Sequence, residues 1–427
     1  MSSLTQAAEG NQIKRVEVLL NQGVNINGAN GEGLTALYAA AYQGHKEMVR
    51  LLLDRGADIE VKNKREFTAL LIAVLRGHVE VAQLLLEYKA NIEAFVEDGG
   101  TSLHIAAHKG HSDVVSLLLD RGANIEAPNQ RGATALHISA EQARVDVARI
   151  LLDRGAKIEV ATKMGSTALH WAAAHGKAEV ARLLMERGAN IEATAQQGFT
   201  PLIVASQQGH LDVVLLALGF GANVEAVTEQ GWRALHVASE QGHAEVARTL
   251  LDHEATIEAV TLQKETALHW AAEEGRMDVV RLLLERGANV LAKDAQDRLP
   301  SHRGKDEKIR KLLSKEDGTY SRRSSPLRRS LSPLRRAASP LRRAASPAAR
   351  GKQSSPPPGE PRKGDDAKDS TPTGARLWPL PLAWTRWRPG RVIVPLMRRP
   401  TASQSTDVSD DEVVSVGVAP GLTTNAQ

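Results

Sequence analysis

Histidine has the widest chemical repertoire of the residues in this 427-residue chain, and all 14 histidines fall within the first 302 positions. A neutral imidazole ligates zinc or moves a proton near neutral pH. His45-Lys-Glu47 and His243-Ala-Glu245 present the His-x-Glu of a zinc deaminase, but that chemistry also needs Cys-x-x-Cys, and the chain has no cysteine. The same absence removes disulfides, thiolate metal sites and cysteine nucleophiles. No His-Glu-x-x-His, Gly-x-x-x-x-Gly-Lys-Ser/Thr or Gly-x-Ser-x-Gly motif occurs. The expectation is a chain with no catalytic residues, no metal and no cofactor.

The histidines instead keep a period. His104, His137, His170, His236 and His269 form one series and His45, His78, His111, His210 and His243 another, all on a 33-residue spacing. Thr35, Thr68, Thr101, Thr134, Thr167, Thr200 and Thr266 share it, with Arg233 on the remaining beat. In "TALHWAAAHGKAEVARLLMERGANIEA" (167–193) the Thr is a helix N-cap, and a short alanine-rich helix ends at Gly176. A second helix places Val180, Leu183 and Leu184 on one face and ends at Gly188. "ANIEA" then reads as a short extended segment leading to a hairpin tip. One such unit cannot bury its apolar face alone, whereas stacked units can.

"GGTSLHIAAHKGH" (99–111) and "GFTPLIVASQQGH" (198–210) closely resemble the ankyrin repeat. The resemblance spans about 4–316 and implies an all-α solenoid with short β-hairpin tips. It divides the chain into an N-terminal cap (1–30), eight copies (31–294) and a truncated C-terminal cap (295–316). Glu66, Lys89, Ala143, Glu254 and Lys264 replace turn glycines, and Arg233 replaces the N-cap, so the seventh copy is expected to be locally weak. Histidines on the grid are expected to tie turns together rather than to bind metal. Trp171 and Trp270 are expected to fill core.

Within that resemblance, function falls on positions the repeat leaves free, on the hairpin and first-helix concave surface. The partner-binding expectation is Leu34, Tyr42, Phe67 and Leu75 with Arg65 and Arg76, and a second cluster of Phe199, Trp232 and Leu262. Glu229, Glu240, Glu265, Glu273 and Glu274 surround Trp232 in this reading and form a surface for the chain's own basic tail.

The tail is read as disordered, basic from 317 to 400 and acidic-to-apolar from 401 to 427. Residues 305–427 hold 24 Lys/Arg and 12 Asp/Glu, a net +12, which leaves −8 for 1–304 to give the total of +4. "SPLRR" returns every seven residues, and its prolines exclude a coiled coil. Ser325, Ser332 and Ser339 stand in Ser-Pro-x-Arg, which resembles the site of cyclin-dependent kinases; Ser346 keeps Ser-Pro, and Ser409 has Glu412 at +3. The same arginines suit nucleic acid, nuclear import or an anionic membrane. "RLWPLPLAWTRWRPGRVIVPLMRR" (376–399) reads either as an interfacial or peptide-like binding segment or as non-coding sequence read through, and "SDDEVVSV" (409–416) resembles a small-ubiquitin-like-modifier interaction motif. The N-terminus has no signal-peptide pattern, and no apolar run spans a bilayer.

The expected function is a monomeric, non-enzymatic interaction adaptor, cytoplasmic or nuclear, whose phosphorylatable tail controls location or partner access. The alternatives are a nuclear co-regulator whose tail contacts nucleic acid, and a targeting subunit of an enzyme on another chain.

Overall fold

The computed structural model describes residues 3–323, with side chains through 316. Within them each copy is a pair of antiparallel helices, such as Ala168–Ala174 and Ala178–Glu186. Inner helices pack on the inner helices before and after them, outer helices do the same, and each inner helix packs on its own outer helix. Ala172, Ala173, Ala181 and Leu184 are fully buried, and the small inner-helix residues let neighbouring backbones approach. Ser3–Glu9 with Ile13–Asn21 opens the stack, and Pro300–Arg303 with Glu307–Arg323 closes it. Helical backbone therefore continues past residue 316. Among the described residues no helix is long and apolar enough to cross a membrane.

The replaced glycines keep the glycine geometry. Glu66, Lys89, Ala143, Glu254 and Lys264 all have φ between 56° and 68°, the left-handed region that a side chain disfavours. Stacking forces on them backbone turns that their own preferences oppose. Arg233 has no oxygen with which to accept from the first turn, yet half of its cap survives, because its N–H donates to His236 Nδ1 at 3.1 Å. Its guanidinium pairs with Glu225 at 2.9 Å. The loss at the seventh copy is smaller than the sequence implies.

The hairpin tips are turns rather than ladders. Phe95 and Thr101 make the one β-bridge among the described residues. Asn63 shows why. Its side-chain oxygen accepts from the amides of Arg65 and Phe67, both at 2.9 Å, and so takes donors that a strand would use.

Candidate functional site

The first histidine series is structural in detail. In copies where the inner helix lacks this histidine, Thr35 and Thr68 accept the amides of Tyr38 and Leu71 at 3.1 and 3.3 Å. Elsewhere the imidazole takes over. Thr167 N–H donates to His170 Nδ1 at 3.2 Å, and His170 Nε2 faces the Phe199 carbonyl of the next copy at 2.9 Å. An Nδ1 that accepts and an Nε2 that donates fix one neutral tautomer. Burial pushes His137, His170 and His236 down to about 4, and holds His104 and His269 below the ordinary value. An imidazole so held is poorly placed to ligate metal, since both nitrogens are engaged.

The second series ties each outer helix back to the copy before. His78 Nε2 reaches the Tyr42 carbonyl at 2.9 Å and His243 reaches that of Gln207 at 3.1 Å. The rings of His78, His111, His210 and His243 each lie on a turn glycine. A Cβ at Gly209 would stand 2.5 Å from the His243 ring. Where the sequence changes the ring to Arg276, the guanidinium makes the same bond to the Glu240 carbonyl at 2.9 Å.

The residues of the first expected cluster stand on the first two copies. Leu34, Tyr42, Phe67 and Leu75 are half-buried, and Arg65 and Arg76 are exposed. Arg76 places its guanidinium 4.8 Å from the centre of the Tyr42 ring in the preceding copy. Behind them Tyr38 occupies the grid-histidine position, and burial, with Tyr42 next, pushes its hydroxyl up to about 12. It stays neutral at any physiological pH.

The second cluster does not assemble as expected. Trp232 is only 4 % exposed, with its ring 4.5 Å from that of Trp270 and 6.1 Å from His236. Trp232 is enclosed because the large Trp270 ring of the next copy packs against it. Phe199 is half-buried, and Leu262 stands out at 67 % exposure. No continuous aromatic surface joins the three.

The acidic residues are also redistributed. Glu229 is exposed, but Glu240 is 1 % exposed, and burial pushes its carboxyl up to about 8. Glu265 pairs with Arg303 at 2.5 Å, Glu273 also pairs with Arg303, and Glu274 meets Lys305 at 3.2 Å. The cations that answer these three glutamates belong to the C-terminal cap, which corrects the expectation that they wait for the tail. Ser325, Ser332, Ser339, Ser346, Ser409 and the segments 376–399 and 409–416 lie outside the described residues.

Two interlocks were not anticipated. The Glu of "ANIEA" and its equivalents accept from the next copy's turn, as Glu159 of "AKIEV" does from the Asn190 amide at 2.7 Å and Glu192 from that of Asn223 at 2.7 Å. The outer helices are bridged by acid–base rungs such as Asp153–Arg187 at 2.8 Å. Recurrence at the 33-residue period was the available signal for both. No group of three His, Asp or Glu residues that could hold a metal occurs among the described residues. The family model for ankyrin repeats (three copies) matches residues 4–96, 93–162, 159–227 and 202–294. A search of curated proteins returned no match.

Proposed function

Because this chain belongs to the ankyrin-repeat family, whose repeats are protein–protein interaction modules, we propose that it is a non-enzymatic adaptor holding a protein partner on its first two copies. The supporting observation is the Arg76–Tyr42 stack, bordered by half-buried Leu34, Phe67 and Leu75 and by exposed Arg65. None of these side chains serves the repeat interlocks described above. Aromatic and arginine side chains side by side on a rigid surface are the usual material of interaction hot spots. In this reading the tail, with its three Ser-Pro-x-Arg sites, adjusts location or access under phosphorylation.

The test begins with proximity labelling by the full chain to name partners, followed by affinity measurement with an Arg65→Glu/Arg76→Glu chain and with Phe67→Ala. A loss of tenfold or more with unchanged helicity supports the reading. Partners that bind all three chains equally would place the contact elsewhere. The tail reading is tested separately, by comparing distribution and partner binding after Ser325, Ser332 and Ser339 are all changed to Ala.

A further inference from the structure

The outer helices carry a repeated electrostatic seam that fails in one copy. In every copy but the sixth the last residue of the outer helix is acidic and the next is basic or polar, so the acid of one copy meets the base of the following one. Arg121 pairs with Glu87 at 3.7 Å, Arg154 with Asp120 at 2.7 Å, and Arg286 with Asp252 at 2.9 Å. Tyr88 serves the same purpose by donating its hydroxyl to Asp54. In the sixth copy the seam positions are Gly219 and Phe220, and Leu215 stands where the fifth and seventh copies have Arg182 and Arg248. Two successive rungs are lost. Glu186 faces the Phe220 position, and among the described residues it meets no cation.

Nothing in the packing calls for these changes. The buried side of the same helix, Leu211–Gly219, is ordinary, with Val213, Val214 and Ala217 fully enclosed. Leu215 is 46 % exposed and Phe220 39 % exposed. Gly219 does not have the positive φ that requires glycine, and a Cβ there would meet nothing within 4 Å. Glycine is a weaker helix former than alanine, because it loses more backbone freedom on ordering. The substitutions give up rungs and helix propensity and expose apolar surface, with no return to the fold.

The shape and charge of the patch indicate its occupant. Two exposed apolar side chains are too few for a second copy of the chain, since a stable dimer buries about 800 Å² on each partner. A short segment fits that scale. The missing rung defines its charge, because a guanidinium beside Phe220 would make with Glu186 the ion pair that Arg187 makes with Asp153 one copy earlier, at 2.8 Å. We propose that the outer face of the sixth copy docks a short segment of a partner protein, which lays an aromatic or aliphatic side chain on Leu215 and Phe220 and offers an arginine to Glu186. This surface lies on the outer helices, apart from the Tyr42–Arg76 cluster on the inner ones, so the chain would hold two partners at once.

The test uses the full chain and a phage library of random twelve-residue peptides, counter-selected on a Leu215→Arg/Phe220→Arg chain. That variant restores the pattern of the other copies and should melt no lower than the parent. Selected clones should combine an apolar residue with arginine. They should bind the parent at least tenfold more tightly than the variant, and lose a similar factor against Glu186→Lys alone. They should bind Arg65→Glu/Arg76→Glu unchanged, which separates this surface from the inner one. The proposal is overturned if no clone distinguishes parent from variant, if the clones are acidic, or if Glu186→Lys binds them as well as the parent.

Discussion

Arg303 lies 4.8 Å from the centre of the Trp270 ring and pairs with the Glu265 carboxylate at 2.5 Å. The two residues are one 33-residue period apart, in a column that elsewhere carries Ile72, Ile105, Ile138, Val204 and Val237. The end of the stack has no further copy to cover it. An arginine there covers the indole with its flat face and satisfies the acids around the rim, including buried Asp294 at 3.6 Å.

Replacing Arg303 by Ala should therefore cost about 3 kcal/mol, because it leaves Glu265 and part of Glu273 buried without a counter-charge. Arg303→Met combined with Glu265→Gln and Glu273→Gln should recover most of that loss. Urea unfolding followed by tryptophan fluorescence measures both. A cost under about 1 kcal/mol for the Ala variant would mean that the cap does not depend on this pairing.

Acid should unfold the stack steeply. His137, His170 and His236 fall from 6.5 to about 4 on folding because burial opposes the charged ring. A group whose folded value is depressed binds fewer protons in the folded state, so unfolding takes up protons as the pH drops. The contribution of these three rings should be full above about pH 6.5 and decline from there to about pH 4. Thermal midpoints across that range should show the loss, and His170→Gln should make the decline shallower even if it lowers the midpoint at pH 7.

Glu240 should act in the opposite direction. Burial raises it from 4.5 to about 8, so the folded chain holds a proton that the unfolded chain releases. Its contribution is complete below pH 4.5 and is lost as the pH rises to 8. Glu240→Gln should stabilise the chain at pH 8.5 and change it little at pH 4.5. A midpoint difference independent of pH would show that the carboxyl is ionised in the folded state.

The two sets of turn glycines should respond differently to alanine. Gly209 has φ +76° and a Cβ there would collide with His243, whereas Gly221 has φ +91° and open space around it. Gly221→Ala should cost about 1 kcal/mol for the left-handed backbone alone. Gly209→Ala should cost clearly more, because the His243–Gln207 bond is displaced as well. Equal costs would show that the ring moves aside freely.

The period was enough to read the fold. Thr caps, cap glycines and the apolar faces of helices such as Ala178–Glu186 are local signals, and their recurrence every 33 residues fixes which copies touch. The replaced glycines were legible for the same reason. Glu66, Lys89, Ala143, Glu254 and Lys264 stand on the grid, so their left-handed backbone follows from register.

Burial at the inner face was decided only by the tertiary structure. Trp232 and Glu240 occupy positions that are half-buried in the first two copies, yet here both are enclosed. Trp232 is covered through the size of Trp270 in the next copy, and Glu240 lies near Glu273, Glu274 and Arg276 of that same copy. Arg303 lies 38 residues from Glu265 and takes its place through the close of the stack, not through a local motif. A repeat sequence states which positions face a neighbour. Whether a given side chain there is surface or core depends on the volume and charge of what stacks against it, and that is a property of the assembled array.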